Sequence, residues 1–275
     1  RFLLFNPWIH DFSAFDHWTR PLNLLRLASL LRQCGIEVTF YDCLDRRSAD
    51  LEGLPPPPRH RLNPFGCGHY YREEIPLPPF LDFMPRHFKR YGIPPGRVEN
   101  RLRDFPEPDV VVVASMMTYW YPGVFEAVAM MRRLFPRAPV IIGGVYATLC
   151  RDHAEQFSGA DAVVTGPHWP AIVNRIFEIA GYGVLCEGDQ KTWIEPAYDL
   201  LRGETCFPLL TSTGCPCHCT YCSTHSLWPR YLPYECEPIL DSFDRLLRDF
   251  GATDISFYDD ALLTGKEKHF WPLME

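Results

Sequence analysis

The sequence predicts an α/β protein with one parallel sheet in its first part and the beginning of a second parallel sheet in its last part. Short apolar runs without alternation, such as residues 2–5 and 109–115, are typical of strands buried on both faces. Amphipathic segments with helical spacing separate these runs. Strands that alternate with helices form right-handed βαβ units, so we expect a parallel sheet covered on both faces.

The first two strands flank a predicted helix. Residues 2–5 form the first strand, and Pro21 begins the helix, because a proline in the first turn removes no helical hydrogen bond. Gly35 is expected to end this helix, since glycine readily adopts the left-handed conformation found there. Residues 37–42 are rich in β-branched and aromatic side chains and are predicted to form the second strand.

A proline-rich and aromatic-rich insertion follows at about residues 44–108. It contains four consecutive prolines at 55–58, and aromatic residues such as Phe65 argue against simple disorder. We expect an ordered excursion with short helices near 81–91 and 95–104, which either covers an edge of the core or caps a site. The insertion also carries a basic cluster that we expect on a solvated helix face, namely Arg86, His87, Lys89 and Arg90.

Three more strands complete the first predicted sheet. They cover residues 109–115, 140–142 and 162–165, with helices at about 122–135 and 172–177. Ligands of such sheets bind at the carboxyl ends of the strands. No G-x-G-x-x-G motif follows the first strand, which argues against a dinucleotide site. The strand ends instead carry polar or small residues, namely Asn6, Ser115 to Thr118, Gly143, Gly144, Thr165 and Gly166.

A glycine-rich passage at 181–203 is predicted to link two domains. We place the boundary near residue 190, so that the domains cover residues 1–190 and 191–275. Two domains are consistent with a chain of 275 residues, of which 47% are hydrophobic, since this is ample material for two cores.

The second domain begins with a strand, a loop, a helix and another strand. The strands are predicted at 206–211 and 254–258, and the helix is predicted at 238–250. This order is typical of the beginning of a β/α barrel, in which functional residues gather at the carboxyl ends of the strands. Two carboxylates, Asp259 and Asp260, follow the second strand directly.

Residues 211–225, with the sequence TSTGCPCHCTYCSTH, form what we call the cysteine loop. Cys215, Cys219 and Cys222 have C-x-x-x-C-x-x-C spacing, and Cys217 adds a fourth thiol. Iron–sulfur clusters prefer such soft thiolate ligands. A structural zinc site that uses all four cysteines is an alternative, although zinc usually draws its ligands from two separated pairs. A disulfide is disfavoured in a cytosolic chain.

The cysteine loop, with its Gly-Cys-Pro sequence, resembles the signature loop of the radical S-adenosylmethionine enzymes. The resemblance implies that Cys215, Cys219 and Cys222 bind a [4Fe–4S] cluster and that Cys217 is not a ligand. In that family the fourth iron binds S-adenosylmethionine, and an electron from the cluster cleaves it to methionine and a 5′-deoxyadenosyl radical. Such an enzyme needs an electron donor such as flavodoxin or ferredoxin.

The same resemblance implies residues that bind S-adenosylmethionine. Tyr221 would lie beside the adenine, and Asp259 or Asp260 would hold the methionine amino group. Acidic residues at a strand end suit a cationic ammonium group. The alternative is that the two carboxylates cap the N-terminus of a following helix.

The first domain resembles the cobalamin-binding domains that precede many radical S-adenosylmethionine domains, which have a flavodoxin-like or Rossmann-like sheet. The resemblance implies that Ser115, Thr118, Gly143 and Gly144 contact cobalamin, because a glycine pair lets the ligand approach the backbone. The D-x-H-x-x-G motif of the methyltransferase-type domains is absent, and His17 lacks its spacing. A flavodoxin-like domain without cofactor remains the alternative.

Composition excludes some functions. The net charge of −7 argues against a general nucleic-acid binder. No apolar run reaches the ~20 residues of a membrane span, and no secretion signal is evident, so we expect a cytoplasmic protein without membrane partners. The cysteines outside the cysteine loop are expected to be mostly buried free thiols.

The barrel that the sequence begins is expected to be incomplete. Only two βα units fit after residue 206, so we expect the chain as given to be part of a radical S-adenosylmethionine enzyme and inactive alone. Two other functions stay open. One is a module that binds cobalamin or a nucleotide and has a non-catalytic cysteine loop. The other is a zinc-stabilised structural protein.

Overall fold

The computed structural model describes residues 1–17, 19–56, 67–183, 185–189 and 191–275. Several features of the sequence prediction lie outside these ranges, namely Pro57, Pro58, Phe65 and the expected domain boundary at residue 190. Within the described ranges, no helix has the length and apolar character that a membrane span requires.

The strands and helices follow one another throughout the chain. The strands are β1 Phe2–Asn6, β2 Ile9–Asp11, β3 Val38–Asp42, β4 Arg72–Glu74, β5 Lys89–Tyr91, β6 Val110–Ser115, β7 Val140–Gly144, β8 Ala162–Val163, β9 Cys206–Leu209, β10 Ser212–Thr213, β11 Leu232–Pro233 and β12 Asp254–Phe257. The α-helices are α1 Leu22–Gln33, α2 Pro95–Arg103, α3 Tyr121–Leu134, α4 Val145–Leu149, α5 Arg151–Phe157, α6 Trp169–Ala180, α7 Thr224–Leu227, α8 Cys236–Asp249 and α9 Phe270–Met274.

Residue contacts divide the chain into two compact units. The first unit consists of Arg1–His17 and Ile36–Val164, and the second consists of Trp18–Gly35 and Thr165–Glu275. Helix α1 therefore belongs to the second unit, although it lies between β1 and β3 in the sequence. The single boundary near residue 190 stays a prediction.

The first unit contains the predicted parallel sheet. Its strand order is β3-β1-β6-β7-β8, with every pair parallel. Counted along the chain this is the order 2-1-3-4-5 of flavodoxin-like sheets, and it confirms the predicted fold class. Strand β6 is buried from Val110 to Val113. Val111 and Val113 pack with Val124 and Val128 of α3 in the main core of this unit.

The insertion builds a small antiparallel sheet in the same unit. Strand β5 pairs with β2 on one side and with β4 on the other. Tyr70 and Tyr91 are fully buried there and pack with Ile9. The predicted helix near 95–104 is confirmed as α2, but the one near 81–91 is wrong. Residues 81–91 form no α-helix, and a 3₁₀ turn occurs at Pro79–Leu81 instead, because Pro85 interrupts helical hydrogen bonding before β5 begins.

The basic cluster does not form the solvated helix face that the sequence predicts. Lys89 and Arg90 lie in strand β5. Arg90 donates two hydrogen bonds to Glu126 of α3, at 2.9 and 2.7 Å. The Arg86 guanidinium lies over the Phe12 ring. His87 forms a hydrogen bond with the carboxylate of Glu74 in β4. Arg86 and Arg90 therefore connect the insertion with other parts of the first unit, whereas His87 contacts the insertion itself.

The last part of the second unit contains the predicted strands and helix of a β/α barrel. Strands β9 and β12 are parallel neighbours, and α8 lies between them in the sequence. A small core contains Leu209, Tyr234, Ile239 and Leu273. The helix expected directly after Asp260 is absent, because residues 260–269 form turns and α9 begins at Phe270. The helix-capping alternative for Asp259 and Asp260 is therefore wrong.

Candidate functional site

The base of the cysteine loop is closed by a two-stranded antiparallel pair. Ser212 and Thr213 of β10 pair with Pro233 and Leu232 of β11. Gly214 follows β10 with φ +76°, and a Cβ at this position would lie 2.4 Å from the Arg230 carbonyl oxygen. Glycine is therefore required where the chain after β10 approaches the backbone that precedes β11.

The three spaced cysteines lie on this loop with different exposures. Cys215 is partly buried, and Cys219 and Cys222 are exposed. The Cys222 amide donates to the Cys219 carbonyl oxygen at 3.1 Å. The structure does not gather the three thiols into a metal-binding group, since among the described residues no three His, Cys, Asp or Glu side chains are arranged to hold a metal ion. The cluster ligands stay a prediction.

The thiols of Cys222 and Cys217 differ in their electrostatic surroundings. Hydrogen bonds with the side chain and backbone of Thr224 lower the pKa of Cys222, which favours the thiolate that a metal requires. A hydrogen bond with Cys215, together with its charge, raises the pKa of Cys217. The backbone amide of Cys217 donates to the Cys215 sulfur at 3.4 Å. Of these two thiols, Cys222 therefore forms a thiolate more readily.

Two histidines that the sequence interpretation did not single out lie in the same loop. The rings of His218 and His225 stack with centroids 4.1 Å apart and an angle of 2° between their planes. His225 Nε2 lies 2.8 Å from the Cys217 carbonyl oxygen. Tyr221, the predicted adenine neighbour, is 90% exposed.

The two carboxylates after β12 have different surroundings. Asp259 accepts hydrogen bonds from the Thr211 amide at 3.0 Å, the Thr211 hydroxyl at 2.8 Å and the Ser212 hydroxyl at 2.6 Å. Asp260 is exposed and hydrogen-bonds with Thr224. Desolvation and the charge of Asp259 raise the pKa of Asp260. Of the two carboxylates, Asp260 is the one that a cationic ligand can reach.

The predicted cobalamin residues are brought together at the carboxyl ends of β6 and β7. Ser115 pairs with Gly144 in the sheet, and its hydroxyl donates to the Gly143 carbonyl oxygen at 2.8 Å. The same hydroxyl accepts from the Ala147 amide at 3.1 Å. The Ser115 hydroxyl therefore joins β6, β7 and α4, while Thr118 begins a 3₁₀ turn beyond the end of β6.

The backbone of the sheet also requires glycine at position 144. Its φ is +108°, and a Cβ there would lie 2.2 Å from the Ser115 carbonyl oxygen. Next to this edge, Met117 and Tyr119 are 43% and 59% exposed. Large exposed side chains beside a strand end are candidate ligand contacts, and the sequence interpretation did not assign Tyr119.

The described part of the first loop contains a short strand and an aromatic contact of His17. Residues Ile9–Asp11 of this loop are strand β2 and pair with β5. The His17 ring packs against Phe15 at 4.5 Å between centroids.

A comparison with protein families finds a similarity that covers the end of the first unit and the first residues of the following segment. Residues 87–174 match the family described as B12 binding domain. This segment contains β6, β7 and β8 and therefore the edge formed by Ser115, Thr118, Gly143 and Gly144. No curated protein sequence matches the chain.

Solved structures extend the similarity to the rest of the fold. A radical S-adenosylmethionine methyltransferase, TsrM from Kitasatospora setae, with tryptophan substrate and the S-adenosylmethionine analogue aza-SAM bound, has a TM-score of 0.61 and 16% identity. Its structure with cobalamin and a [4Fe–4S] cluster has a TM-score of 0.59 and 16% identity. Each match covers 96% of this chain and 48% of TsrM.

The chain therefore spans about half the length of these structures. Since the identity is low, the likeness to TsrM concerns the fold. Residues 87–174 are thus similar to B12 binding domains, and 96% of the chain has a fold similar to about half of a radical S-adenosylmethionine methyltransferase.

Proposed function

We propose that this chain is part of a cobalamin-associated radical S-adenosylmethionine enzyme of the methyltransferase kind. The first unit binds cobalamin, and the cysteine loop of the second unit binds a [4Fe–4S] cluster with S-adenosylmethionine. The observation that carries the proposal is the occurrence in one chain of a B12 binding domain match and of a C-x-x-x-C-x-x-C loop at the carboxyl end of a parallel strand.

The donor set of the cysteine loop fits an iron–sulfur cluster. Cys215, Cys219 and Cys222 supply three soft ligands, and the lowered pKa of Cys222 favours its thiolate. The backbone amide that donates to the Cys215 sulfur is of the kind that tunes cluster potentials. When bound, the cluster supplies the electron that cleaves S-adenosylmethionine to the 5′-deoxyadenosyl radical. That electron comes from a protein donor such as flavodoxin or ferredoxin.

The residues proposed for S-adenosylmethionine follow from what each side chain already contacts. Asp260 is assigned to the methionine ammonium group, because Asp259 is engaged by Thr211 and Ser212. Tyr221 is assigned to the adenine, since its ring is exposed and free to stack. Both residues lie on or beside the cysteine loop.

The edge of β6 and β7 is proposed as the cobalamin contact. Ser115 and Gly144 shape this edge through hydrogen bonding and close backbone approach. Thr118 and Gly143 supply a hydroxyl and a backbone surface without a bulky side chain. The exposed Tyr119 adds apolar contact area for a large planar ligand.

Anaerobic reconstitution of the cysteine loop tests the cluster assignment. The chain should take up about four irons with matching sulfide, and alanine at Cys215, Cys219 or Cys222 should abolish this uptake. Cys217→Ala is the matched control and should bind iron like the unchanged chain. Zinc near one equivalent with no iron uptake would instead support the zinc-stabilised structural protein.

Cobalamin binding is tested separately. After incubation with hydroxocobalamin and gel filtration, we expect the cofactor to elute with the chain and its absorbance spectrum to shift. The cysteine-to-alanine variants should bind it equally well, since the two sites lie in different units. Absence of both co-elution and spectral shift would contradict a cobalamin role and leave the flavodoxin-like domain without cofactor.

A further inference from the structure

A buried chain of hydrogen bonds lies at the base of the cysteine loop, in the second unit. His269 Nε2 is 2.9 Å from Thr211 Oγ1, and Thr211 Oγ1 is 2.8 Å from Asp259 Oδ1. On the other side of the imidazole, Cys236 Sγ is 4.0 Å from Nδ1. Thr211 is fully buried and His269 is 5% exposed. We call these four residues the His269 chain.

The direction of each hydrogen bond follows from its partners. The Asp259 carboxylate accepts from Thr211 and Ser212, and an ionised carboxylate can only accept. The Thr211 hydroxyl therefore gives its proton to Asp259. Its oxygen must then accept from His269, so the imidazole carries a proton on Nε2.

The other imidazole nitrogen is then an acceptor. Nδ1 carries no proton in the neutral ring and faces the Cys236 thiol, which is a weak donor. Desolvation lowers the pKa of His269, although the Asp259 charge and the Thr211 backbone oppose this effect. The neutral form with one defined tautomer is therefore favoured. The hydrogens of His269 Nε2 and of the Thr211 hydroxyl therefore point towards Asp259. The Cys236 thiol lies beside Nδ1 and also donates to the His269 carbonyl oxygen at 3.8 Å.

We propose that His269 is a positioning residue for the cysteine loop, acting through Thr211 on Asp259. Thr211 and Ser212 come directly before Thr213, Gly214 and Cys215 in the sequence, so a fixed Asp259 also fixes the start of the loop. This inference rests on the proposed function, because a positioned loop matters only if its thiols bind a cluster. Removing partners that orient metal ligands typically costs about 10- to 100-fold in metal affinity.

Two substitutions of similar size separate this role from simple packing. In His269→Gln the amide nitrogen reaches the place of Nε2 and can still donate to Thr211. In His269→Asn the side chain is one methylene group shorter. Its amide nitrogen reaches only the place of Nδ1 and cannot donate to Thr211. Anaerobic iron titration should give the glutamine variant an affinity like that of the unchanged chain, and the asparagine variant a loss of about 10-fold or more. His153→Asn, in the first unit, is the control and should bind iron normally.

The reduced cluster supplies a readout that packing alone would not move. His269→Asn should change the electron paramagnetic resonance spectrum of the reduced cluster, and His269→Gln should restore it. Equal iron affinity and an equal spectrum for the asparagine and glutamine variants would overturn the inference. If His269→Asn does not fold, Thr211→Val and Thr211→Ser make the same comparison, because only serine keeps the hydroxyl that links His269 to Asp259.

A second measurement needs no cluster and so separates failure of the proposed function from failure of this inference. Carbon and nitrogen chemical shifts of isotopically labelled His269 report its tautomer. We expect a neutral ring with the proton on Nε2 at neutral pH. A proton on Nδ1, or on both nitrogens, would overturn the inference even in a chain that binds iron. An unchanged chain that binds no iron would instead overturn the proposed function.

Discussion

Asp259 and Asp260 are neighbours in the sequence but contact opposite ends of the cysteine loop. Asp259 accepts three hydrogen bonds from Thr211 and Ser212, which precede the first cysteine. Asp260 hydrogen-bonds with Thr224 and interacts with the charge of Cys222, at the far end of the loop. The carboxyl end of β12 therefore holds both ends of the segment that carries the thiols.

This division predicts different effects for two matched substitutions. Asp259→Asn replaces a charged acceptor of three hydrogen bonds and should reduce the free energy of unfolding by about 2–3 kcal/mol. Asp260→Asn changes an exposed side chain and should alter it by at most about 0.5 kcal/mol. Urea unfolding followed through the second unit's tryptophan fluorescence measures both. Equal effects of the two substitutions would contradict the division of roles.

Binding of S-adenosylmethionine should depend directly on Asp260, the carboxylate that contributes less to stability. If Asp260 holds the methionine ammonium group, Asp260→Asn should weaken S-adenosylmethionine binding to the reconstituted chain by about 10-fold, the loss expected for one charge-assisted hydrogen bond. Calorimetric titration of reconstituted chain and variant measures this loss. Glu237→Gln, on helix α8, is a control that should bind normally. Unchanged affinity in Asp260→Asn would remove the residue from the site.

The contrast between the two carboxylates also shows what the sequence can and cannot predict. Apolar runs such as Val110–Val113 identify buried strands without further information, and the order of strands and helices identifies a parallel sheet. The partners of Asp259, however, lie 47 and 48 residues away. They meet it only because β9 and β12 pair in one register, Leu209 opposite Phe257. No local pattern in the sequence reveals that contact.

The insertion shows a second reason why sequence patterns fail to predict local structure. Residues near 81–91 contain enough apolar side chains to suggest a helix, yet Lys89–Tyr91 form a strand. Strand β5 gains its hydrogen bonds from β2 and β4, which are distant in the sequence. Pairing with distant strands therefore overrides the local preference.

Glu126 ties this small sheet to helix α3 and should make stability depend on pH. Although burial raises the pKa of Glu126, hydrogen bonds from His10 and Arg90 outweigh it and lower the pKa below its ordinary value. A depressed folded-state pKa stabilises the fold above the unfolded pKa, about 4.3 for Glu. This contribution is lost as the pH falls through the lower, folded-state value.

Glu126→Gln should therefore lower the free energy of unfolding at neutral pH by about 1–3 kcal/mol. The difference from the unchanged chain should shrink below a pH of about 4, where Glu126 becomes protonated. Differential scanning calorimetry across pH measures this convergence. Glu155→Gln, which removes an exposed ion pair with Arg151, is the control. A pH-independent difference would show that the charge of Glu126 is not responsible.

Substitution of Gly144 should affect both the stability of the first unit and its binding of cobalamin. Alanine at Gly144 would place its Cβ 2.2 Å from the Ser115 carbonyl oxygen at a φ of +108°, so we expect a loss of at least about 2 kcal/mol together with loss of cobalamin binding. Gly96→Ala, where no atom from outside the helix lies within 4 Å of the added Cβ, should lower neither the stability nor cobalamin binding. Thermal melting measures the stability, and co-elution with hydroxocobalamin measures cobalamin binding. Normal stability in Gly144→Ala would contradict the close approach of the strands.

Residues 20–33, which contain helix α1, provide the last prediction, because their charged partners come from the later segment of the same unit, Thr165–Glu275. Arg20 pairs with Glu204, and their side chains are only 11% and 6% exposed. Arg32 pairs with Asp199, and both side chains are more than a third exposed. Loss of one partner of a buried pair typically costs about 3–5 kcal/mol, whereas exposed pairs contribute about 0–1 kcal/mol.

Glu204→Gln should therefore destabilise the second unit strongly, and Asp199→Asn should leave it nearly unchanged. Hydrogen exchange of the α1 amides measures the effect locally, with faster exchange expected only in Glu204→Gln. A fragment that ends at the predicted boundary near residue 190 lacks both partners, so its α1 amides should exchange as fast as those of a flexible segment. Slow exchange in that fragment would show that α1 is held without residues beyond 190, and would support a single boundary there.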